Sequence, residues 1–148
     1  MAVLFFILAA MQSLAPGRDH AENATAIATV VLSEPALFRD DESRMRTAAF
    51  MVSVAFRESS LRNGAIGDHG NARCMFQLWN APSGVLTDPE LCARIALVRM
   101  RESARACGKD NMLGLYAVGP KGCSSEHAKR ISRDRRALAE RLAKTVQQ

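Results

Sequence analysis

Nine residues near the middle of the chain, Asn63–Asn71 (NGAIGDHGN), hold three glycines, two asparagines and an aspartate. No helix propagates through such a run, because glycine adds backbone entropy and Asn and Asp compete for backbone hydrogen bonds. On both sides apolar residues recur at helical spacing, so the chain must fold as helices arranged around one central loop. The apolar fraction of 48% against 24% charged is enough for a packed globule of 148 residues rather than a disordered chain.

Before the loop, Ala2–Met11 (AVLFFILAAM) is the longest apolar run, about half of the ~20 residues a bilayer crossing needs. Residues 1–15 read as a first helix packed on the domain, as a secretory leader, although no Lys or Arg precedes Arg18, or as a surface-lying membrane helix, which would want cationic flanks that are missing. A second helix fits Ala21–Ser33, stopped by Pro35. A third runs to Glu58 or Ser59, with Asp40 or Asp41 as its cap and Asp41 and Glu42 favourable in its first turn. After the loop, Cys74–Trp79 (CMFQLW) fits a strand or a helix equally well. Thr87-Asp88-Pro89-Glu90 has the capping-box pattern and opens a helix to about Ala106, ended by Gly108. A short helix fits Asp110–Val118, stopped by Gly119-Pro120. The last, about 125–146, lays Ala128, Ile131, Leu138 and Leu142 on one side and Lys129, Arg130, Arg133, Arg136, Arg141 and Lys144 on the other. The expected fold is all-α, or α with a minor β element, in one domain spanning 1–148.

The net charge of +5 is uneven: residues 1–90 carry 7 basic and 10 acidic side chains, and residues 91–148 carry 13 and 5. The basic helix, including Arg133, Arg135 and Arg136, reads as a solvated face or as a weak attraction to anionic wall polymers. No aromatic residues interleave with it, so a nucleic-acid partner is not expected. Cys74, Cys92, Cys107 and Cys123 are spaced by 18, 15 and 16 positions, unlike the close pairs of zinc sites, so no metal is expected. Four cysteines allow three disulfide connectivities. Cys107 with Cys123 is favoured because they flank a short excursion, leaving Cys74 with Cys92; the alternative is four free, buried thiols.

Chemistry concentrates in Ala55–Trp79 (AFRESSLRNGAIGDHGNARCMFQLW). Glu58 is the only acid between Glu42 and Asp68. It sits at a helix C-terminus, where the macrodipole is negative, among apolar residues; both effects disfavour the carboxylate and suit a general acid. The alternative is a helix-end carboxylate paired with Arg57 or Arg62.

These residues resemble the soluble lytic transglycosylase family, which shares the lysozyme-like fold with goose-type lysozymes. The family has Glu-Ser at the end of a core helix, a Gly-containing loop, Gly-Leu-Met-Gln, and later Tyr-Asn-Ala-Gly. The matching blocks are Glu58-Ser59, Cys74-Met75-Phe76-Gln77 and Tyr116-Ala117-Val118-Gly119, across Thr47–Gly119. Cys74, Phe76 and Ala117 stand where the family has Gly, Met and Asn, and His127 lies roughly where many members carry a further Tyr. The resemblance implies cleavage of the β-1,4 bond between N-acetylmuramic acid and N-acetylglucosamine in peptidoglycan. Glu58 would be the single acid/base, closing a 1,6-anhydro ring without cofactor or metal. It implies substrate contacts from Gln77, Met75, Phe76 and Tyr116, with the Tyr116 hydroxyl orienting Glu58; the alternatives are core packing for Met75, Phe76 and Tyr116 and a satisfied polar residue at the cleft edge for Gln77. Ser59 would touch substrate or hold the local turn. Trp79 is expected in the core, with sugar stacking as the other reading, and Asp68 is expected as a turn residue. A hydrolytic muramidase, and a wall-binding protein that keeps the fold without the activity, are the alternatives. The expected protein is a monomer, periplasmic or extracellular at the cell wall, without stable membrane insertion.

Overall fold

The computed structural model describes residues 1–39 and 43–146. Among the described residues six helices carry the chain: α1 (Ala2–Leu14), α2 (Ala21–Ser33), α3 (Ser43–Ser59), α4 (Pro89–Cys107), α5 (Gly114–Val118) and α6 (Glu126–Val146). Between α3 and α4 lies a three-stranded antiparallel sheet of β1 (Ile66–Gly67), β2 (Ala72–Arg73) and β3 (Leu78–Trp79). The architecture is therefore mostly helical with a minor β element. The cap expected at Asp40 or Asp41, and the acidic first turn with Asp41 and Glu42, lie outside the described residues.

α3 is the centre of the packing. Every residue from Thr47 to Ala55 is buried, which requires neighbours all round. α1, α2 and α6 supply them, and α4 packs on α2 and α5. α1 contributes Ile7, Ala10 and Met11 to the core, so 2–14 pack as a first helix. No helix among the described residues is long and apolar enough to cross a membrane.

Local rules account for most helix ends. Gly108 and Gly119 close α4 and α5 at φ 81° and 91°, which glycine adopts without a Cβ penalty. The cap of α4 is Asp88 rather than Thr87: the Asp88 carboxylate accepts from the Leu91 N–H at 3.0 Å, and Pro89 takes the first helical position. The predicted 110–118 helix is a 3-10 turn at Lys109–Asn111 followed by α5. α3 ends without a glycine, through Ser60 and Leu61 at φ 54° and 65°. Non-glycine residues adopt this conformation at a cost of about 1–2 kcal/mol each. Here Arg18 donates to the Ser60 carbonyl and Asn23 to the Leu61 carbonyl, which tie the end of α3 to the α1–α2 region.

All four cysteines are paired, Cys74 with Cys92 and Cys107 with Cys123. The first joins the sheet region to α4 and the second joins the end of α4 to the turn before α6. Disulfides of this kind fit an oxidising compartment. Loops of this length place the stabilisation near ~3 kcal/mol each in the chain-entropy picture. Replacing Cys74 and Cys92 together by serine is expected to lower the unfolding free energy by about 2–5 kcal/mol in urea titrations; a loss below ~1 kcal/mol would mean the fold does not depend on this link.

Candidate functional site

The three sequence blocks meet around one buried turn. Cys74, Met75 and Phe76 are fully buried, and the chain reverses through Cys74 at φ 65° and Gln77 at φ 48°. The carbonyls of that turn are taken up by the other two blocks. The Ser59 hydroxyl donates to the Met75 carbonyl at 2.8 Å and accepts from the Arg62 N–H at 3.1 Å. The Tyr116 hydroxyl donates to the Phe76 carbonyl at 2.6 Å. Gln77 folds back on the turn, its Nε2 donating to the carbonyls of Ala65 and Cys74 at 3.1 and 3.0 Å.

This arrangement forms the back of a cleft of about 950 Å³, lined by residues that include Glu58, Asp68, Gln77, Trp79, Arg99, Tyr116 and Arg135. The sheet register explains one wall. Gly67, Ala72 and Trp79 lie opposite one another across the three strands, and all three face the cleft. The small residues leave room: a Cβ on Gly67 would sit 2.5 Å from Gln77 Oε1. The end of α5 and the turn after it, Ala117 to Pro120, also line the cleft. The Ser103 hydroxyl, on α4, accepts from the N–H groups of Leu115 and Tyr116 at 3.0 and 3.3 Å and so fixes the start of α5.

Glu58 reaches the cleft from the last turn of α3 with its side chain 26% exposed. Its partner is Arg135, at 3.2 Å, rather than Arg57 or Arg62. Arg57 pairs with Asp134 at 3.1 Å, and the Arg62 Nε donates to the Ser59 carbonyl. The expectation of an apolar surround is thus corrected: a guanidinium lies against the carboxylate, as in the paired alternative but from a different arginine. Arg135 itself leaves the solvated face to which the sequence reading assigned it. The signal was present, because position 135 is four beyond Ile131 and three before Leu138, on the apolar side of α6. Arg130, Arg133, Arg141 and Lys144 are exposed as expected, and so is His127.

The other residues divide clearly. Gln77, Tyr116 and Glu58 line the cleft, whereas Ser59, Met75 and Phe76 lie behind it. Ser59 therefore serves the turn, and Met75 and Phe76 serve the core while lending their carbonyls. The Tyr116 hydroxyl goes to Phe76, not to Glu58. Trp79 is 53% exposed on the cleft wall rather than in the core, and Asp68 is exposed in the same cleft. Sequence reasoning missed Arg99, whose Nη1 donates to the Trp79 carbonyl at 2.7 Å, and Glu102 one turn along α4. Compared with known proteins, the chain matches no family model, no curated protein and no solved structure.

Burial holds the Tyr116 phenol well above its ordinary value, and the nearby Glu58 charge adds to the effect. The sign for stability follows. Above about pH 10 the unfolded chain releases this proton while the folded chain keeps it, so stability falls as pH rises from there toward the folded value. Tyr116 is the only tyrosine. Urea titrations from pH 9 to 11 should show a steeper alkaline loss in wild type than in Tyr116→Phe; equal slopes would contradict a buried phenol.

Proposed function

We propose that the protein cleaves the β-1,4 glycosidic bond of peptidoglycan on a lysozyme-like fold, with Glu58 as its acid/base. The carrying observation is the convergence of Glu58, Gln77 and Tyr116, from three separated sequence blocks, on one cleft. In this reading Glu58 protonates the oxygen between N-acetylmuramic acid and N-acetylglucosamine, and the C1–O bond breaks with positive charge developing at C1. The carboxylate so formed takes the proton of the C6 hydroxyl, and that oxygen closes on C1 as a 1,6-anhydro ring. One carboxylate performs both transfers, which needs no water as reactant. Arg135 stabilises the negative charge on Glu58 between them. The exposed Trp79 ring offers a face for a sugar, and Gln77 Oε1 is an acceptor for a hydroxyl or amide N–H. The two disulfides fit a wall-facing, oxidising location.

The presence of Asp68 in the same cleft supports a second reading, hydrolysis by a carboxylate pair holding a water. Digestion of purified peptidoglycan followed by product mass separates the two, since the anhydro product lacks one water. Glu58→Gln is expected to slow lysis about 10²–10⁴-fold with wall binding retained. An unchanged rate would remove Glu58 from the chemistry.

A further inference from the structure

One guanidinium in the cleft wall is shared between two carboxylates. Arg135 Nη2 donates to Glu58 Oε1 at 3.2 Å, and Nη1 donates to Asp134 Oδ2 at 2.8 Å. Its own backbone carbonyl accepts from the buried Ser53 hydroxyl of α3 at 2.7 Å, which fixes α6 against α3 at this residue. The side chain is only 15% exposed, and its Nε is buried with no hydrogen-bond partner among the described residues. Asp134 in turn takes Arg57 at 3.1 Å. The charges alternate along Glu58, Arg135, Asp134 and Arg57, with Glu58 at the cleft end.

We infer that Arg135 is the positioning residue of Glu58, holding its carboxylate by one oxygen at the cleft wall while Asp134 competes for the same guanidinium. The inference rests on reading Glu58 as the acid/base. A guanidinium can grip a carboxylate by two parallel bonds, which would occupy both oxygens. Here the second Nη is taken by Asp134, and Nε remains unpaired. Glu58 Oε1 is held, and Oε2 accepts no hydrogen bond among the described residues. That leaves one oxygen for the proton that moves to and from substrate. A buried donor without a partner is costly in a purely structural arginine.

The other titratable and charged groups lining the same cleft are Tyr116 on α5, Arg99 and Glu102 on α4, and Asp68 beyond β1, while Asp134 and Arg57 connect to Glu58 through Arg135. Only Arg135 is within hydrogen-bond distance of the carboxylate among the described residues. Arg135 is thus the cation in direct contact with Glu58, and Asp134 is the carboxylate that draws on the same guanidinium.

The experiment is a carboxyl-carbon NMR titration of Glu58 in the folded wild type, Arg135→Gln, Arg135→Lys and Asp134→Asn, beside the pH profile of kcat/KM on peptidoglycan. Arg135→Gln should move the Glu58 midpoint to higher pH, because the contacting cation is removed. Arg135→Lys should restore most of that change, and Asp134→Asn should move the midpoint the opposite way. The alkaline limb of kcat/KM should follow the same order. An Arg135→Gln midpoint equal to wild type, or a change of the same sign in Asp134→Asn, overturns the inference. If Arg135→Gln does not fold, Asp134→Asn still decides by its sign. Midpoints that move as expected while Glu58→Gln lyses like wild type uphold the positioning and defeat the reading of Glu58 as acid/base.

Discussion

Burial of the Cys74–Gln77 turn is the constraint on which the rest of the site depends. Three consecutive side chains with no exposed surface put a reversing segment of backbone into the core, where every carbonyl needs a donor. Ser59 and Tyr116 supply two of those donors from opposite sides. The disulfide to Cys92 ties the same turn to α4. The end of α3, the sheet and α5 are therefore fixed relative to one another by one short peptide. Glu58, Trp79 and the Ala117–Pro120 wall are carried on the elements so joined.

The division of labour within each block follows from that constraint. In Glu58-Ser59 the two side chains leave the helix in different directions, one to the cleft and one to the turn. In Cys74–Gln77 only Gln77 reaches the cleft. Tyr116 does both, with its ring on the cleft and its hydroxyl on the Phe76 carbonyl. Removal of Ser59 or the Tyr116 hydroxyl would leave a buried carbonyl unpaired, which costs on the order of 1–3 kcal/mol. A loss of activity in such variants would therefore reflect the turn as well as any direct role.

Much of this was legible in the sequence. α2 appears with its predicted bounds, and α3 ends at Ser59 as expected, because helical spacing and helix-stopping residues are local signals. Both disulfides join the expected cysteine pairs, Cys107 with Cys123 across the short excursion between two helices and Cys74 with the remaining Cys92. The rest depended on tertiary partners. The left-handed end of α3 at Ser60-Leu61 is supported by Arg18 and Asn23, some forty residues earlier in the chain. Trp79 was expected in the core, with sugar stacking as the other reading, whereas its register opposite Ala72 and Gly67 turns it to the cleft. Arg135 was read with its basic neighbours, although helical phase puts it on the apolar side of α6. A charged residue in an apolar phase marks a buried partner, and here that partner is the residue singled out for catalysis.

The cleft thus joins a carboxylate held by a single cation, an aromatic face and an amide acceptor on a frame locked by two disulfides. The most direct measurement is a crystal structure of Glu58→Gln soaked with a short peptidoglycan oligosaccharide. Cleavage at Glu58 predicts a glycosidic oxygen within about 3.2 Å of the side-chain amide at position 58, with a sugar ring against Trp79. An oligosaccharide bound elsewhere, or in the cleft with no glycosidic oxygen in reach of position 58, would contradict it.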